Sequence, residues 1–510
     1  MKKGRRFLVL LLLLCMTVAF SVSGCGNKGD GDAKSAVAAD KLNFVELNFY
    51  YPCSIQNDDE VVNAEINKIL KEKVNCSLTL KPIDWSQWNN KYPILLSSGE
   101  KLDLIFTAAW SGYFQEAAKN SFLQLDDLLK NYGKDIIANM QDGYLDAPKV
   151  KGKLFAIPVN KDMGQGWGVV ADKKMAEQIG ADFSKVKYLE DLEPILAAAK
   201  EKLNGVIPYF VNNEQGMNDL IGTTKLCESI GLKNHEKILL LDDYIMYNVD
   251  TGKAIPIYEI PEYVEQCRMV NKWYNLGYIN NDATTTQMTA PEAARNNKAF
   301  MNSADQSPVT LSSYENEYGK KLCTAELATG IKTTKTLTTS TAIAAHCTNP
   351  ERAMMVLNLF YCDRKLMNLY AFGVENRQYI LKKENVMSLP EGVKSIEETG
   401  YNTGNYWELG NNFLLYTWDN EDPDKWNNLK EYNATLYKSP LLGFAFDNST
   451  VLAEVAAHKN VNLEYLQLLL NGVLPPDEIV PKFRQKDKAA GIDRICTEIE
   501  KQIKVWQASK

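Results

Sequence analysis

"LSSGEKLDLIFTAAW", residues 96–110, contains an apolar run that ends in small residues and a tryptophan. The run Leu102–Phe106 predicts a strand, because short apolar runs bounded by polar residues are typical of buried strands. Two more strands are predicted upstream, at Val45–Phe49, where apolar and polar residues alternate, and at Ser77–Ile83. Apolar residues at helical spacing between 62 and 70 separate these two strands. Strands that alternate with helices predict an α/β fold with a parallel sheet and crossover helices.

Helix boundaries can also be read from the sequence. Asn57–Glu60 has the spacing of a capping box, which predicts a helix start there. A further helix is expected around Phe122–Leu129. It carries the acidic pair Asp126-Asp127, which we interpret as structural because acidic side chains are stabilised near a helix N-terminus.

Aromatic residues follow each of the three predicted strands. Tyr51, Trp85 and Trp110 lie in the stretches 50–52, 84–86 and 108–111, each near a small polar group. In open α/β sheets ligands bind beyond the carboxyl ends of the strands. We therefore expect these three rings to lie at one edge and contact a ligand. The alternative is that Trp85 and Trp110 pack within their own loops.

The N-terminus has the three parts of a secretion signal. Positive residues come first, an apolar run spans Phe7–Phe20, and small residues precede Cys25. The run is too short for a comfortable bilayer span. Val22–Cys25 resembles the bacterial lipoprotein box, which implies a signal peptide over 1–24 and lipidation of Cys25. Residues 25–40 then predict a flexible tether. The alternative is an ordinary signal peptide with an incidental cysteine.

Length and charge restrict the class of the remaining chain. With 510 residues and 45% hydrophobic content it can build a large core and more than one domain. The net charge is −7, and loss of the four positive side chains of the signal leaves about −11. An acidic body repels phosphate backbones, so a nucleic-acid partner is not expected. No apolar run after Phe20 is long enough to span a membrane.

Ten cysteines are present, of which Cys15 leaves with the signal and Cys25 carries lipid. No C-x-x-C pair occurs, so a zinc site is not supported. Disulfides would be permitted outside the membrane, but a large core does not require them. We favour free thiols and leave pairing open. The eight remaining cysteines are Cys53, Cys76, Cys227, Cys267, Cys323, Cys347, Cys362 and Cys496.

Several motifs, in order along the chain, carry a family resemblance. Residues 96–110, "NSFLQLDDLLKNYG" (120–133) and "KVKGKLFAIPVN" (149–160) resemble the first lobe of extracellular solute-binding proteins of ABC importers, the maltose-binding-like family 1. "NKWYNLGYINNDA" and "IAAHCTNPERAMMVLNLFYCD" continue the resemblance. In the second, Asn349 and Pro350 suit a helix start, and Ala353, Val356, Leu357 and Phe360 form its buried face. Residues from about 440 to 510 resemble an extra C-terminal domain of unassigned function. Its final helix carries an apolar stripe.

The resemblance implies a two-lobe periplasmic-binding-protein type II fold with a hinge and an interlobe ligand cleft. Lobe 1 is expected at 41–160 and 305–372, and lobe 2 at 161–304 and 373–510. The implied protein is a lipid-anchored monomer on the extracytoplasmic face of the membrane. It binds a solute by lobe closure and delivers it to the transmembrane permease subunits, without a cofactor or chemistry of its own.

Further cleft residues are expected from two stretches. Residues 407–413 resemble the family's cleft-facing segment, so Trp407 and Asn411 are candidates, whereas Trp426 is expected to pack. Glycines surround Trp167, but their spacing does not match a nucleotide fingerprint. They are expected to allow close approach of a ligand, with Trp167 facing Trp110 from the second lobe.

Rings, amides and carboxylates suit a sugar or oligosaccharide, because rings stack on apolar sugar faces and polar groups bind hydroxyls. A peptide is the other candidate ligand. The alternative function is a lipid-anchored glycoside hydrolase with a cleft carboxylate pair. The three histidines have no metal-ligand or hydrolase spacing, and Asp242-Asp243 is interpreted as structural, so we expect no catalytic or metal site. An adhesin would show internal repeats, and none are found.

Overall fold

The computed structural model describes residues 42–164, 166–212, 237–238, 244–249, 251–328, 330–332 and 339–508. The predictions on the signal peptide, Cys25, the tether, Cys227, His235 and Asp242-Asp243 lie outside these residues. The described residues fall in one compact unit.

Nineteen strands are described. In chain order they are β1 Val45–Pro52, β2 Cys76–Ile83, β3 Leu104–Thr107, β4 Lys149–Val150, β5 Lys153–Leu154, β6 Ala156–Pro158, β7 Gly166–Asp172, β8 Ile207–Tyr209, β9 Lys237–Ile238, β10 Ile245–Asn248, β11 Lys253–Pro256, β12 Ala299–Gln306, β13 Leu322–Ala328, β14 Ile331–Lys332, β15 Ser340–Ile343, β16 Ile380–Lys383, β17 Val386–Ser388, β18 Thr417–Trp418 and β19 Tyr437–Lys438.

The described α-helices surround these strands. They are α1 Asp59–Val74, α2 Trp85–Ser97, α3 Tyr113–Ala118, α4 Asp126–Tyr132, α5 Lys134–Asn139, α6 Lys173–Ile179, α7 Glu193–Lys202, α8 Pro261–Asn275, α9 Ala290–Arg295, α10 Thr310–Tyr318, α11 Pro350–Cys362, α12 Arg364–Phe372, α13 Lys425–Thr435, α14 Leu452–Leu470, α15 Pro476–Ala490 and α16 Ile492–Ala508. None of them is long and apolar enough to cross a membrane.

The first lobe is built on a five-stranded sheet in the order β2-β1-β3-β15-β6. Strand β1 is parallel to β2 and to β3, as the sequence predicts. Strand β15 is antiparallel to both β3 and β6, so the sheet is mixed rather than fully parallel. The prediction missed β15 because this strand joins the first sheet only after the chain has formed the second lobe.

The second lobe is built on a four-stranded sheet in the order β13-β7-β12-β8. Strand β7 pairs antiparallel with both β12 and β13, and β8 is parallel to β12. Its buried apolar residues form a core separate from that of the first lobe. Each lobe is therefore stabilised by its own hydrophobic burial.

The expected lobe boundaries are wrong at two places. Strands β12 and β13 belong to the second sheet, so the chain returns to the first lobe at β15 rather than at residue 305. Residues 373–429 pack on the first lobe, because Tyr379, Met387, Tyr401 and Leu429 lie in its core. Trp426 is packed as expected, but in that same core.

The C-terminal helices pack on the second lobe. Tyr465 and Leu469 of α14 and Phe483 of α15 lie in its core. The stripe on α16 is buried as predicted, through Ile492, Ile495, Ile499 and Ile503, and packs beside the β10–β11 strands.

Of the predicted helix starts, one is confirmed and two differ from the structure. Helix α11 begins at Pro350, and its predicted apolar face is fully buried. No capping box forms on α1, because Asp58 is the N-cap and its carboxylate instead accepts hydrogen bonds from Arg377 and Gln378. Helix α4 begins at Asp126, not Phe122, because Phe122 bridges to Ala344 in an extended conformation.

The seven described cysteines are free thiols. Five of them are buried: Cys53, Cys76, Cys267, Cys347 and Cys496. Burial raises the pKa of each of these five thiols to about 12. Within the described part of the chain, the structure therefore agrees with the prediction of free thiols.

Candidate functional site

Three tryptophans from distant parts of the chain meet on the first lobe. The ring of Trp85 lies 6.0 Å from that of Trp110 and 6.0 Å from that of Trp407, with which it is stacked at an interplanar angle of 21°. We call Trp85, Trp110 and Trp407 the tryptophan platform. Stacked and edge-on ring pairs at these distances are favourable beyond their buried area.

The sheet explains why the first two rings meet. Trp85 is the first residue of α2, directly after β2, and Trp110 lies in the 3₁₀ turn Ala109–Ser111 after β3. Strands β2 and β3 both run parallel to β1, so their carboxyl ends lie at the same edge of the sheet. The predicted convergence of these two loops is confirmed.

The third ring arrives from the segment that packs back onto the first lobe. Trp407 lies in the 3₁₀ turn Tyr406–Glu408. Its ring meets the buried ring of Phe106 edge to face, with centroids 5.9 Å apart. Trp110 also contacts Phe106, at 5.7 Å. One core phenylalanine at the end of β3 therefore supports two rings of the platform.

The platform is open to solvent. Trp85 is 39% exposed and Trp110 is 45% exposed, whereas Trp407 is partly buried. Neighbouring exposed tryptophans form an apolar surface that water covers poorly, and such patches mark binding sites more often than chance. The arrangement can stack on an apolar ligand face.

A buried layer holds the platform in position. Trp88 is 1% exposed and donates its indole N–H to Ser111 Oγ at 3.0 Å. The hydroxyl of Tyr92 pairs with Thr107 Oγ1 at 2.7 Å, and Trp88 contacts Phe106 at 5.9 Å. Sequence reasoning missed this layer, although Trp88 and Tyr92 stand four residues apart on one face of α2.

A carboxylate borders the platform. Asp84 caps α2, and its Oδ1 accepts hydrogen bonds from the backbone N–H and the hydroxyl of Ser86 at 3.0 and 2.5 Å. These bonds hold the pKa of Asp84 below its usual value. The residue before Trp85 therefore stays ionised and can accept hydrogen bonds from hydroxyl groups.

Two predicted ligand contacts are wrong. Tyr51 lies inside β1, which extends to Pro52, and shares the inward face with Leu47 and Phe49. It is 1% exposed and stacks on Phe49 at 4.9 Å, so its ring has no free face. The period of two along a strand explains why it points inward.

Asn411 is also structural. It is 3% exposed, its Oδ1 accepts a hydrogen bond from Asn160 Nδ2 at 3.0 Å, and its Nδ2 donates to the carbonyl of Tyr361 at 3.3 Å. Both polar ends of the amide are therefore used inside the first lobe. It fixes the segment that carries Trp407 instead of contacting a ligand.

Gly168, next to Trp167, has a packing role. A Cβ on Gly168 would lie 2.0 Å from the carbonyl oxygen of Ala325, so glycine allows β7 and β13 to pair closely. Trp167 itself is partly buried on β7 and packs against the second core. Its approach to a ligand opposite Trp110 stays a prediction.

Acidic groups gather where the chain crosses between the lobes, which sequence reasoning missed. Lys161 Nζ lies 2.9 Å from Asp162 Oδ1, and Tyr314 donates a hydrogen bond to Asp305. Burial raises the pKa of Asp305, and the nearby charge of Asp162 adds to this effect. Burial, followed by the charge of Glu421, raises the pKa of the Tyr406 hydroxyl to about 12. These side chains can donate to and accept from a polar ligand.

Glu408, next to Trp407, was likewise missed. Its side chain is fully buried, and neither carboxyl oxygen has a hydrogen-bond partner among the described residues. Burial raises its pKa well above the usual value. A buried acid without a counter-ion is stable only in its neutral form, so we assign Glu408 as a protonated carboxylic acid.

No metal-binding group of three acidic, cysteine or histidine side chains occurs among the residues that the structure describes. His346 Nε2 lies 2.9 Å from the carbonyl of Glu100, and His458 is buried against Asp487 and Asn462. These two histidines thus have structural partners.

Comparisons with known proteins agree with the fold. Residues 440–508 match a family model described as a domain of unknown function, DUF3502. The chain is 27% identical to a carbohydrate ABC transporter substrate-binding protein of Streptococcus pneumoniae serotype 4, over 97% of each chain. It is 25% identical to lipoprotein LipO of Bacillus subtilis over 39% of this chain and 38% of LipO.

Solved structures give the same result. The N-glycan transport solute-binding protein NgtS of Streptococcus pneumoniae superposes with a TM-score of 0.79 at 25% identity, over 90% of this chain and 98% of NgtS. Complexes of NgtS with Man1GlcNAc and Man5GlcNAc give TM-scores of 0.74 and 0.71 at 24% identity, over 90–91% of this chain and 98–99% of theirs. The resemblance to solute-binding proteins and the two-lobe fold predicted from the sequence are confirmed.

Proposed function

We propose that this protein is the solute-binding component of an ABC importer and that it captures a carbohydrate on the tryptophan platform. Similarity along nearly the whole chain to a carbohydrate ABC transporter substrate-binding protein supports the transport role. The observation that carries the binding site is the stacked, solvent-open arrangement of Trp85, Trp110 and Trp407.

The chemistry of the platform favours a sugar over a peptide. Sugar rings have apolar C–H faces that stack on indole and hydroxyl edges that bind carboxylates and amides. The ionised Asp84 stands beside the rings, and the acidic groups near Asp162 lie where the chain crosses between lobes. A peptide could use the same rings, and the binding experiment below separates the two classes.

Capture by lobe closure follows from the architecture. Each lobe has its own sheet and core, and the chain crosses from β6 to β7 and back from β13 to β15. Connections of this kind can bend while both cores stay intact. A ligand that contacts both lobes selects the closed state by the difference in its affinity for the two states.

Calorimetric titration tests ligand class. Residues 26–510 are titrated with Man1GlcNAc, Man5GlcNAc, an alginate oligosaccharide and a mixture of short peptides. We expect saturable binding of at least one sugar and none of the peptides. Binding of peptides alone would overturn the carbohydrate proposal.

Hydrolysis is the alternative activity, and the comparisons favour binding over it because the relatives are transporter subunits. We expect no steady release of reducing ends from the same sugars. Release that disappears when one carboxylate of the site is changed would support the hydrolase instead.

We further propose that the protein is anchored by lipid on Cys25 and delivers its ligand to the transmembrane permease subunits. The lipoprotein-box resemblance of Val22–Cys25 and the partial similarity to LipO support the anchor. The full chain and Cys25→Ala are compared by membrane fractionation. We expect the wild type in the membrane fraction and the variant in the soluble or unprocessed fraction. A variant that still partitions fully with membranes contradicts the anchor.

A further inference from the structure

A cavity of about 630 Å³ is lined by Tyr406, the residue that precedes Trp407 of the platform. One wall is formed by α10, which connects two strands of the second sheet. The other is formed by residues between Phe372 and Lys425, from the segment that packs on the first lobe. Its volume falls in the range of about 300–1,000 Å³ that is usual for small-molecule sites.

Aromatic rings line the first-lobe wall of this cavity. Phe372 contacts Tyr406 at 6.0 Å and Trp418 at 5.9 Å. Tyr406 and Trp418 are both partly exposed, and each combines an apolar ring with a polar group. They offer ring surface together with a hydroxyl and an indole N–H, the combination that suits a molecule with alternating apolar and hydroxyl faces.

The 3₁₀ turn Tyr406–Glu408 joins the cavity to the platform. With three residues per turn, successive side chains point in directions about 120° apart. Tyr406 accordingly lines the cavity, Trp407 completes the platform, and Glu408 enters the core. Consecutive residues of one turn, Tyr406 and Trp407, therefore belong to the cavity and to the platform.

The polar lining of the cavity is close to neutral. Glu421 and Lys425 form a buried ion pair, with side chains 3% and 4% exposed, and Glu421 Oε2 also accepts a hydrogen bond from the Trp418 backbone at 3.0 Å. Their charges cancel. Asp419 pairs with Lys382, which lies outside the lining, at 3.5 Å, so Glu317 and Lys394 leave one charge of each sign. The lining thus offers an anionic ligand no net positive charge, whereas hydroxyl groups would meet acceptors.

We propose that this cavity is a second sugar subsite, which takes neutral sugar units of the same oligosaccharide that stacks on the tryptophan platform. The inference rests on the proposed function, because it extends the same ligand by further units. It makes the substrate a neutral oligosaccharide that is long enough to pass Tyr406 and contact both lobes. A ligand that covers the platform alone lacks these contacts and binds more weakly.

Two glycines on opposite walls allow the cavity to be filled with little strain. Gly404 and Gly319 have φ angles of +62° and +61°, and no atom lies within 4 Å of an added Cβ. Asparagine tolerates this conformation, as Asn376 and Asn385 show in this chain at φ angles of 65° and 62°. Gly404→Asn and Gly319→Asn therefore narrow the cavity. Gly205→Asn is the matched control. Gly205 is exposed, has a φ angle of +75°, has no atom within 4 Å of an added Cβ, and does not line the cavity.

The test measures affinity for Man5GlcNAc as the long probe and Man1GlcNAc as the short probe, with an alginate oligosaccharide as the anionic probe. Thermal unfolding without ligand checks that each variant folds.

We expect each cavity variant to lower the affinity for the long probe about tenfold more than for the short probe. Gly205→Asn should leave the ratio unchanged, and the wild type should bind the neutral long probe more tightly than the anionic one. An unchanged ratio in folded Gly404→Asn and Gly319→Asn, or tighter binding of the anionic probe, overturns the subsite. A wild type that binds no sugar overturns the proposed function itself.

Discussion

The rings of Trp85 and Trp407 are stacked 6.0 Å apart, although one follows the second described strand and the other lies beyond the seventeenth. The platform is therefore complete only when residues 373–429 have packed onto the first lobe. The proposed binding site thus depends on the same long-range packing that stabilises this lobe, and Phe106 supports Trp407 and Trp110 from beneath.

Replacement of Trp110 by alanine should weaken sugar binding by about 1–4 kcal/mol, because contact area and ring geometry are both lost. This is about a tenfold to several-hundredfold rise in Kd. The unfolding midpoint without ligand should change little, since the ring is 45% exposed. Calorimetry and thermal unfolding measure the two quantities.

Tyr188→Ala is the matched control for Trp110→Ala, because Tyr188 is 40% exposed on the second lobe, outside the platform. It should leave Kd unchanged. Trp273→Ala is the core control, since that ring is fully buried, and should cost about 3–5 kcal/mol of folding stability. If Trp110→Ala melts as early as Trp273→Ala yet binds sugar normally, the platform is structural.

The C-terminal domain is fixed to the second lobe by a buried network. Asp487 Oδ1 lies 2.6 Å from His458 Nδ1, and Asp487 Oδ2 accepts a hydrogen bond from the Tyr258 hydroxyl at 2.5 Å. Asp487→Ala leaves the Tyr258 hydroxyl and His458 Nδ1 without these partners in the interior and should lower the free energy of unfolding by about 3–5 kcal/mol. Urea unfolding measures the loss.

Asp477→Ala, on the same helix, is the control for this network. Asp477 is exposed and forms a surface ion pair with Arg268 at 2.7 Å, so its loss should cost far less stability than the loss of Asp487. Equal destabilisation by the two variants would contradict a special role for the buried network.

The protonated state of Glu408 predicts a pH dependence of stability. Between the usual glutamate pKa of about 4.3 and its raised folded pKa, the folded protein binds one more proton than the unfolded chain. The contribution of Glu408 to stability is therefore fully present below the lower pKa and decreases as pH rises. The decrease is about 1.4 kcal/mol per pH unit in this window.

Glu408→Gln removes this titration. We expect the unfolding free energy of the variant, relative to wild type, to rise with pH between 5 and 7. Glu391→Gln changes an exposed glutamate and should leave the difference independent of pH. A constant difference for Glu408→Gln across this range would show that the carboxyl group is ionised in the folded protein.

The free thiols predict insensitivity to reductant. A reductant should leave the unfolding midpoint unchanged, because removal of a native disulfide typically costs about 2–5 kcal/mol and none is present among the described cysteines. The five buried thiols should react with a thiol reagent only after unfolding, since burial raises their pKa values to about 12. An earlier transition in reductant would reveal a disulfide.

The sequence by itself determined the local features of this protein. Alternation and helical spacing predicted β1, β2, α11 and the α16 stripe, because these patterns depend only on residues that are close in sequence. It also placed Trp85 and Trp110 beyond strand ends, and the direction of parallel strands was enough to bring them together.

Only the tertiary structure decided which polar and aromatic residues reach solvent. Tyr51 and Asn411 suited a binding site by residue type. Tyr51 is buried because β1 extends to Pro52, and Asn411 is buried because its segment packs back onto the first lobe. The entry of β15, the packing of residues 373–429 on the first lobe and the contact of Trp407 with Trp85 depend on contacts between residues far apart in sequence. No local pattern encodes such contacts, because they are selected by the burial of complementary surfaces in the whole chain.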